Sequence, residues 1–470
     1  MNFPVKSIKV KIHNFFADSD NKLIFPMFFP ILIEQFILVM MGTVHSLMLA
    51  RIKTDAEYII SAVSLVEQIN QLAYALLGSV SLGATVIISQ YIGAGKFSSA
   101  KNTAEQAVLT GFILALAITF IFIFWGKEIF IIFLGKDKVE ENPGIVIIFE
   151  YSMKYMRLNV ISYPLLNISN IAAGIIRGAG DVKSPMRISI VIGIINVIAA
   201  GICIYILNLN IIGAGIASIV SRFFGAIISV ILLVKKGFIT KFENLIKPKL
   251  LYIKKIMIIG IFQSIENLIF QFGRTITYRY FNGNNHIAAN SIANNIFSII
   301  SAPGNSMSIV SMALIGRLTG AGEKKQSYKI LRNIIFISMI LLLLTHIILL
   351  PFFPFLVSFY TGNFDTENLK AINGLIYKLI FLNFIFMPIF WPASFVLFAG
   401  MKGAGDVRFT TVISIISMWF VRVLLAYILG NLLKMGVVGV WFGMFFDWIF
   451  RTVFAVVRFK NKKWQEKSAI

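Results

Sequence analysis

Two carboxylates stand inside long apolar runs. Glu34 lies in "PILIEQ" (30–35) and Glu266 in "FQSIEN" (262–267). An ionised carboxylate in an apolar medium is costly, so such a group is kept neutral, paired or turned toward water, and it is commonly functional. A carboxyl balanced between those states can take up and release a proton. The alternative is a Glu bonded to a neighbouring backbone or polar group with no part in transport. His45 follows Glu34 in "MGTVHSLMLAR", about three helical turns along, so the two can share one helix face. An imidazole beside a carboxylate titrates in the physiological range; the other reading of His45 is a polar residue at an outer rim.

Amide side chains gather in the same runs: Gln68, Asn70 and Gln71, then Asn167, Asn170 and Asn196, then Asn290, Asn294 and Asn295, with Asn383 further on. Such groups either bond apolar helices together or line a cavity. Arg222, Arg274, Arg422 and Arg451 lie within or at the edges of apolar runs and need partners; Asp447 and Arg451, spaced i, i+4, are expected to pair as a structural unit. Four scattered His and one Cys make no metal pattern, and no nucleophile motif is present. No cofactor is expected, and no catalysis. "GAGK" (93–96) is not a phosphate loop: Gln90 stands where that motif needs its first Gly, and Phe97 follows Lys96.

These residues need helices in a bilayer to position them. The chain is 58% hydrophobic and 14% charged, and its mean hydropathy is +0.83; a soluble domain carries about 25% charged residues. Twelve apolar segments are readable, at about 23–50, 58–90, 102–134, 145–176, 184–208, 211–234, 253–281, 286–316, 328–359, 371–400, 408–433 and 436–457. The net charge of +22 suggests nucleic acid in a soluble protein, but here most of the 43 Lys and Arg fall on alternate loops and at both ends. That alternation follows the positive-inside rule and predicts cytoplasmic termini. The N-terminal stretch is not a signal peptide. Val5, Ile8, Ile12, Phe15 and Phe16 make it either a surface helix or a tail.

The halves repeat. "RGAGDVK" (177–183) returns as "KGAGDVR" (402–408), and "SQYIGAGKFSSA" (89–100) as "GRLTGAGEKKQS" (316–327). Asn294 aligns with Glu67. Six helices per copy is an even number, so both copies share one orientation. The glycines of each heptad predict a turn between helices, and Asp181 and Asp406 are placed to cap the helix that follows.

The ordered set "GATVIISQYIGAGKFSSAKNTAEQAV" (83–108), "IIRGAGDVKSP" (175–185), Asn196 and "GIFQSIENLIFQFG" (260–273) resembles the multidrug and toxic compound extrusion (MATE) family over nearly the whole chain. The resemblance implies an all-α polytopic membrane protein of twelve helices in two pseudo-symmetric six-helix bundles. It also implies exchange of H⁺ or Na⁺ for cationic or amphipathic compounds by alternating access. Glu266 matches the family's helix-seven glutamate and is the leading coupling residue, with Glu34 and His45 beside it. Many members carry Asp where this chain has His45, which argues against Na⁺ at that point. The tenth helix lacks the acid of some members, leaving Asn383 as its nearest polar candidate.

The reading divides the chain into an N-terminal segment (1–22), an N-lobe (23–234), a basic linker (235–252), a C-lobe (253–457) and a tail (458–470). Gln68, Asn170, Asn196, Asn294 and Asn383 are its cavity residues. It expects a monomer in the inner (plasma) membrane with a small-molecule substrate and no nucleic acid. A lipid-linked oligosaccharide flippase of the same broad superfamily, or a non-transporting membrane receptor, is the alternative.

Overall fold

A computed structural model describes residues 21–50, 56–134, 143–240, 245, 247–281, 283–361 and 366–470. The apolar stripe of residues 5–16 lies outside the described residues. The described residues are overwhelmingly helical and hold no strand.

Twelve helical segments follow one another: α1 (Phe25–Ala50), α2 (Ala56–Gly93), α3 (Phe97–Leu134), α4 in two pieces (Pro143–Ile161 and Tyr163–Gly178), α5 (Lys183–Ile206) and α6 (Asn210–Lys235). Then come α7 (Leu250–Thr277), α8 (Asn284–Gly320), α9 (Lys324–Thr361), α10 (Leu369–Gly403), α11 (Val407–Leu432) and α12 (Val437–Lys460). Among the described residues ten are long and apolar enough to cross a bilayer, or eleven with the two pieces of α4 taken together. The chain is therefore a multi-pass membrane protein. Its outer surface agrees: Phe112, Ile113, Phe120, Ile123, Phe124 and Trp125 of α3 are all exposed, as side chains are when their solvent is lipid.

One segment departs from expectation. The apolar run at 145–176 predicts a single helix, but the chain bends by 48° between its two pieces. Pro164 sits in the first turn of the second piece, where it has no N–H to give to the preceding turn.

The chain forms two compact units. The N-unit comprises Phe36–Ile92 and Lys96–Leu268; the C-unit comprises Met1–Gln35, Gly93–Gly95 and Ile269–Ile470. The N-unit core gathers Ile59, Val66, Ile69, Phe130, Tyr155, Val160 and Tyr163 from α2, α3 and α4. The C-unit core is aromatic: Trp448 packs with Phe297, Phe395 and Phe445, and Phe445 stacks on Phe386 at 4.6 Å.

The repeated heptads are matching turns. Gly180 (φ 93°) and Gly405 (φ 100°) take the left-handed conformation that reverses the chain. A Cβ on Gly178 would lie 2.9 Å from the Thr85 carbonyl oxygen of α2, and one on Gly403 would lie 2.4 Å from the Met312 carbonyl oxygen of α8. Both helices therefore meet their neighbours at backbone contact.

Asp181 caps α5 as expected: its carboxylate accepts from the Lys183 amide (3.0 Å) and from the Ser184 amide (3.1 Å). It also pairs with Lys236 at 2.7 Å. Asp406 precedes α11 but makes no cap bond with its side chain. Its carboxylate is taken instead by the Arg458 fork, at 2.8 and 3.1 Å. A bidentate guanidinium outcompetes two backbone amides, because both partners are charged and the geometry matches.

The segment after each sixth helix returns to the third helix of its own copy. After α6, the Lys249 amide donates to Gln106 (2.9 Å) and its ammonium to Asn102 (2.6 Å), both on α3. At the end of α12 Phe459 stacks on Tyr328 at 4.3 Å, and beyond it Gln465 donates to the Lys324 carbonyl (2.7 Å) of α9 and Trp464 is fully buried.

Candidate functional site

The N-unit builds its polar site at the bend of α4. Glu67, Asn70 and Tyr74 share one face of α2 at i, i+3 and i+7. Asn70 donates to the Glu67 carboxylate (3.1 Å) and accepts from the Tyr163 hydroxyl (2.6 Å). Tyr163 opens the second piece of α4 and meets Tyr74 edge-on at 6.0 Å. Arg222 reaches in from α6. It donates to the Tyr74 hydroxyl (3.0 Å), to Asn159 (3.4 Å) and to the Ser162 hydroxyl. Asn159 and Ser162 in turn bond to carbonyls on the N-terminal side of the break, Tyr155 and Asn159 respectively. The bend thus exposes polar groups inside the unit, and the guanidinium gathers them. The result is one acid and one base, linked through Asn70 and two tyrosines.

The C-unit builds differently. Arg451 donates to Asp447 at 2.9 Å, which is the expected i, i+4 pair. Ser417 also donates to Asp447, and Arg451 reaches Ser414 (3.3 Å). Arg422 lies 4.0 Å from the other Asp447 oxygen. The Phe270 ring lies 5.2 Å from the Arg422 guanidinium and 5.5 Å from that of Arg451. Ser417–Val423 is a π-helical stretch of α11; the extra residue per turn re-aims Ser417 and Arg422 toward α12. Beside this cluster lies a small cleft, partly open to its surroundings. Its walls include Arg274, Tyr278, Asn290, Asn294, Arg422 and Trp441. Asn290 fixes the indole by accepting from Trp441 at 2.9 Å.

The two sites occupy related positions. A Cβ on Gly213 would lie 2.8 Å from the Cys203 carbonyl carbon, and one on Gly439 would lie 2.5 Å from that of Leu429, so α5–α6 and α11–α12 cross alike. In that register Asn196 corresponds to Arg422 and Ser221 to Asp447. Asn196 donates to the Ser221 hydroxyl at 3.1 Å.

The remaining candidates divide between the units. Glu34 is buried at 3% exposure and falls in the C-unit; Glu266 is half-buried and falls in the N-unit. His45 stands on α1, and its side chain lies outside the described residues. Gln68 and Asn170 present exposed side chains. Asn294 lines the C-unit cleft and donates to the Asn290 carbonyl (2.8 Å). Asn383 is buried on α10, with no hydrogen-bond partner for its Oδ1 among the described residues. The structure therefore brings Asn294 together with Arg274 and Arg422, and does not join Gln68 or Asn170 to either polar cluster. The sequence alone does not single out Glu67, Tyr74, Asn159 or Tyr163 as site residues. The alignment of Glu67 with Asn294 is the signal that pointed to the first of them. Among the described residues no group of His, Cys, Asp and Glu is arranged to hold a metal.

Comparison with known proteins bears on the whole chain. The family model MatE matches residues 30–202 and 259–428. A relative named "Probable multidrug resistance protein NorM" from Thermotoga maritima is 26% identical over 424 residues, 87% of this chain and 86% of its own. "Uncharacterized transporter YisQ" of Bacillus subtilis is 22% identical, over 94% of this chain and 95% of its own. A solved structure described as "Outward-facing conformation of a multidrug resistance MATE family transporter of the MOP superfamily" superposes with a TM-score of 0.84 at 19% identity, covering 96% of this chain and 98% of that one. That likeness shows the fold. Two matched segments, each running across most of one six-helix copy, show more: the chain belongs to the MatE family, the multidrug and toxic compound extrusion transporters.

Proposed function

We propose that this protein is a cation-coupled antiporter that exports cationic or amphipathic organic compounds by alternating access of its two halves. The observation that carries the reading is the family match across both copies, supported by a relative named for multidrug resistance that matches over 86% of its own length. In this reading Glu266 is the principal coupling residue, with Glu34 and His45 assisting. Gln68, Asn170, Asn196, Asn294 and Asn383 contribute to the substrate path. Protonation of the coupling carboxyl favours one access state, and substrate competes for the other form. H⁺ or Na⁺ is the coupling ion, no cofactor takes part, and the protein works as a monomer in the inner (plasma) membrane with both termini cytoplasmic.

Export into proteoliposomes under an imposed pH gradient, compared with an imposed Na⁺ gradient, tests this. Uphill accumulation of a fluorescent organic cation is expected under one gradient and absent without either. Glu266→Gln is expected to abolish the uphill component while leaving downhill equilibration. Wild-type uphill rates in that variant would remove Glu266 from the mechanism.

A further inference from the structure

Positive charge in the C-unit cluster exceeds what its own carboxylate balances. Asp447 is committed to Arg451 at 2.9 Å and to Ser417, and Arg422 meets it only at 4.0 Å. Arg422 is 8% exposed, and its Nε has no hydrogen-bond partner among the described residues. Arg274 lines the same cleft and has no ion pair among the described residues. A buried guanidinium without a full set of acceptors is costly, and an anion in the cleft would satisfy it. Around the two cations the walls carry polar groups, Thr277, Asn290 and Asn294, beside ring faces and apolar side chains. Tyr278, Phe281, Val440, Met444 and a Trp441 held still by Asn290 complete the cleft. In the N-unit, the corresponding position holds the neutral Asn196–Ser221 pair instead.

We infer that this cleft binds the anionic head of an amphipathic organic molecule, with its carboxylate, sulfonate or phosphate held by Arg274 and Arg422 and its flat apolar body laid against Trp441 and Tyr278. Two planar forks suit a two-oxygen anion, and ring faces suit a conjugated body. The inference goes beyond the export reading and does not depend on it, since it concerns binding alone. The anion is either a soluble organic acid or the headgroup of an anionic lipid.

The test uses full-length protein in phosphatidylcholine nanodiscs, titrated by calorimetry with 1-naphthoate, 1-naphthamide and 1-naphthylmethylammonium. These share one ring system and are negative, neutral and positive. Naphthoate is expected to bind about tenfold or more tighter than the amide, the effect of a charge-assisted hydrogen bond. Arg274→Gln is expected to erase that preference, lowering naphthoate affinity far more than amide affinity. Arg422→Lys, which keeps the charge and loses the fork, is expected to weaken naphthoate severalfold. Equal affinity for the three probes, or preference for the ammonium, overturns the assignment. Both are read on the wild-type protein, so an unstable variant does not obscure them. An undiminished naphthoate preference in Arg274→Gln overturns it too. Adding phosphatidylglycerol to the nanodiscs identifies the source: competition assigns the site to a lipid headgroup, and unchanged naphthoate affinity assigns it to a soluble acid.

Discussion

At corresponding places the two units solve the problem of buried polar groups in different ways. The N-unit disperses it. One acid, Glu67, and one base, Arg222, are separated by amides and tyrosines, and Asn196 and Ser221 form a neutral pair alongside. The C-unit concentrates it. Asp447 takes a direct ion pair with Arg451, and Arg422 stands in the place of Asn196. Duplication supplied the same helix crossings to both, so the difference lies in a few side chains and in local backbone, a break in α4 on one side and a π-helical stretch in α11 on the other. A network of neutral links tolerates the loss of one member, because neighbours can turn to one another. A tight ion pair does not, because the survivor is left charged in a dry place.

That contrast can be measured. The largest effect is expected at Arg451→Leu, which leaves Asp447 without its closest counter-charge and costs about 3–5 kcal/mol; thermal unfolding in detergent reads it as a large fall in Tm. Arg222→Leu in the N-unit is expected to cost less, about 1–3 kcal/mol, since it strands hydroxyl and amide acceptors but no directly paired acid. Equal losses in the two variants would dissolve the distinction between dispersed and concentrated charge. Below these comes Asn196→Leu, which removes one buried neutral hydrogen bond and is expected to cost about 1 kcal/mol. Gln68→Ala, on an exposed face, is expected to move stability by no more than about 0.5 kcal/mol in either direction. A larger effect would show that Gln68 belongs to the N-unit network after all.

The repeated turns extend the comparison to pH. Burial alone would raise the Asp181 carboxyl, but the Lys236 ammonium, with the Ser184 hydroxyl and amide, outweighs it and holds the group at about 2. A lowered folded-state value contributes stability that is present above the unfolded value of about 4 and is lost as pH falls through the folded one. The Tm difference between wild type and Asp181→Asn is therefore expected to stay constant from pH 7 to pH 5. It should shrink only between about pH 4 and pH 2. A difference that changed near neutrality would point to a different group.

Much of this architecture is legible in the amino-acid order. Apolar runs long enough to cross a bilayer locate the helices, because nothing else keeps a backbone satisfied in lipid. The Asp447–Arg451 pair is readable because i, i+4 is a local relation. What is not readable is whatever depends on a meeting between distant helices. Arg222 lacks a visible partner in its own run because its partners lie 148, 63 and 60 residues away. The break in α4 is hidden inside a continuous apolar stretch, and only Pro164 marks it. Asp406 carries the same heptad as Asp181, yet abandons the cap for Arg458, a residue 52 positions on. Local grammar proposes a bond, and a stronger charged partner arriving through the fold replaces it.

The returning segments have a consequence for how such a chain can arise. The stretch after α6 closes onto α3, and the stretch after α12 closes onto α9, with different side chains but the same destination. A gene for a single six-helix copy would already encode a finished end, tucked against its own third helix. Joining two such genes head to tail would add a peptide bond at that point while each end keeps its bonds to its own third helix. The basic loop between the copies thus closes the first copy as the tail closes the second.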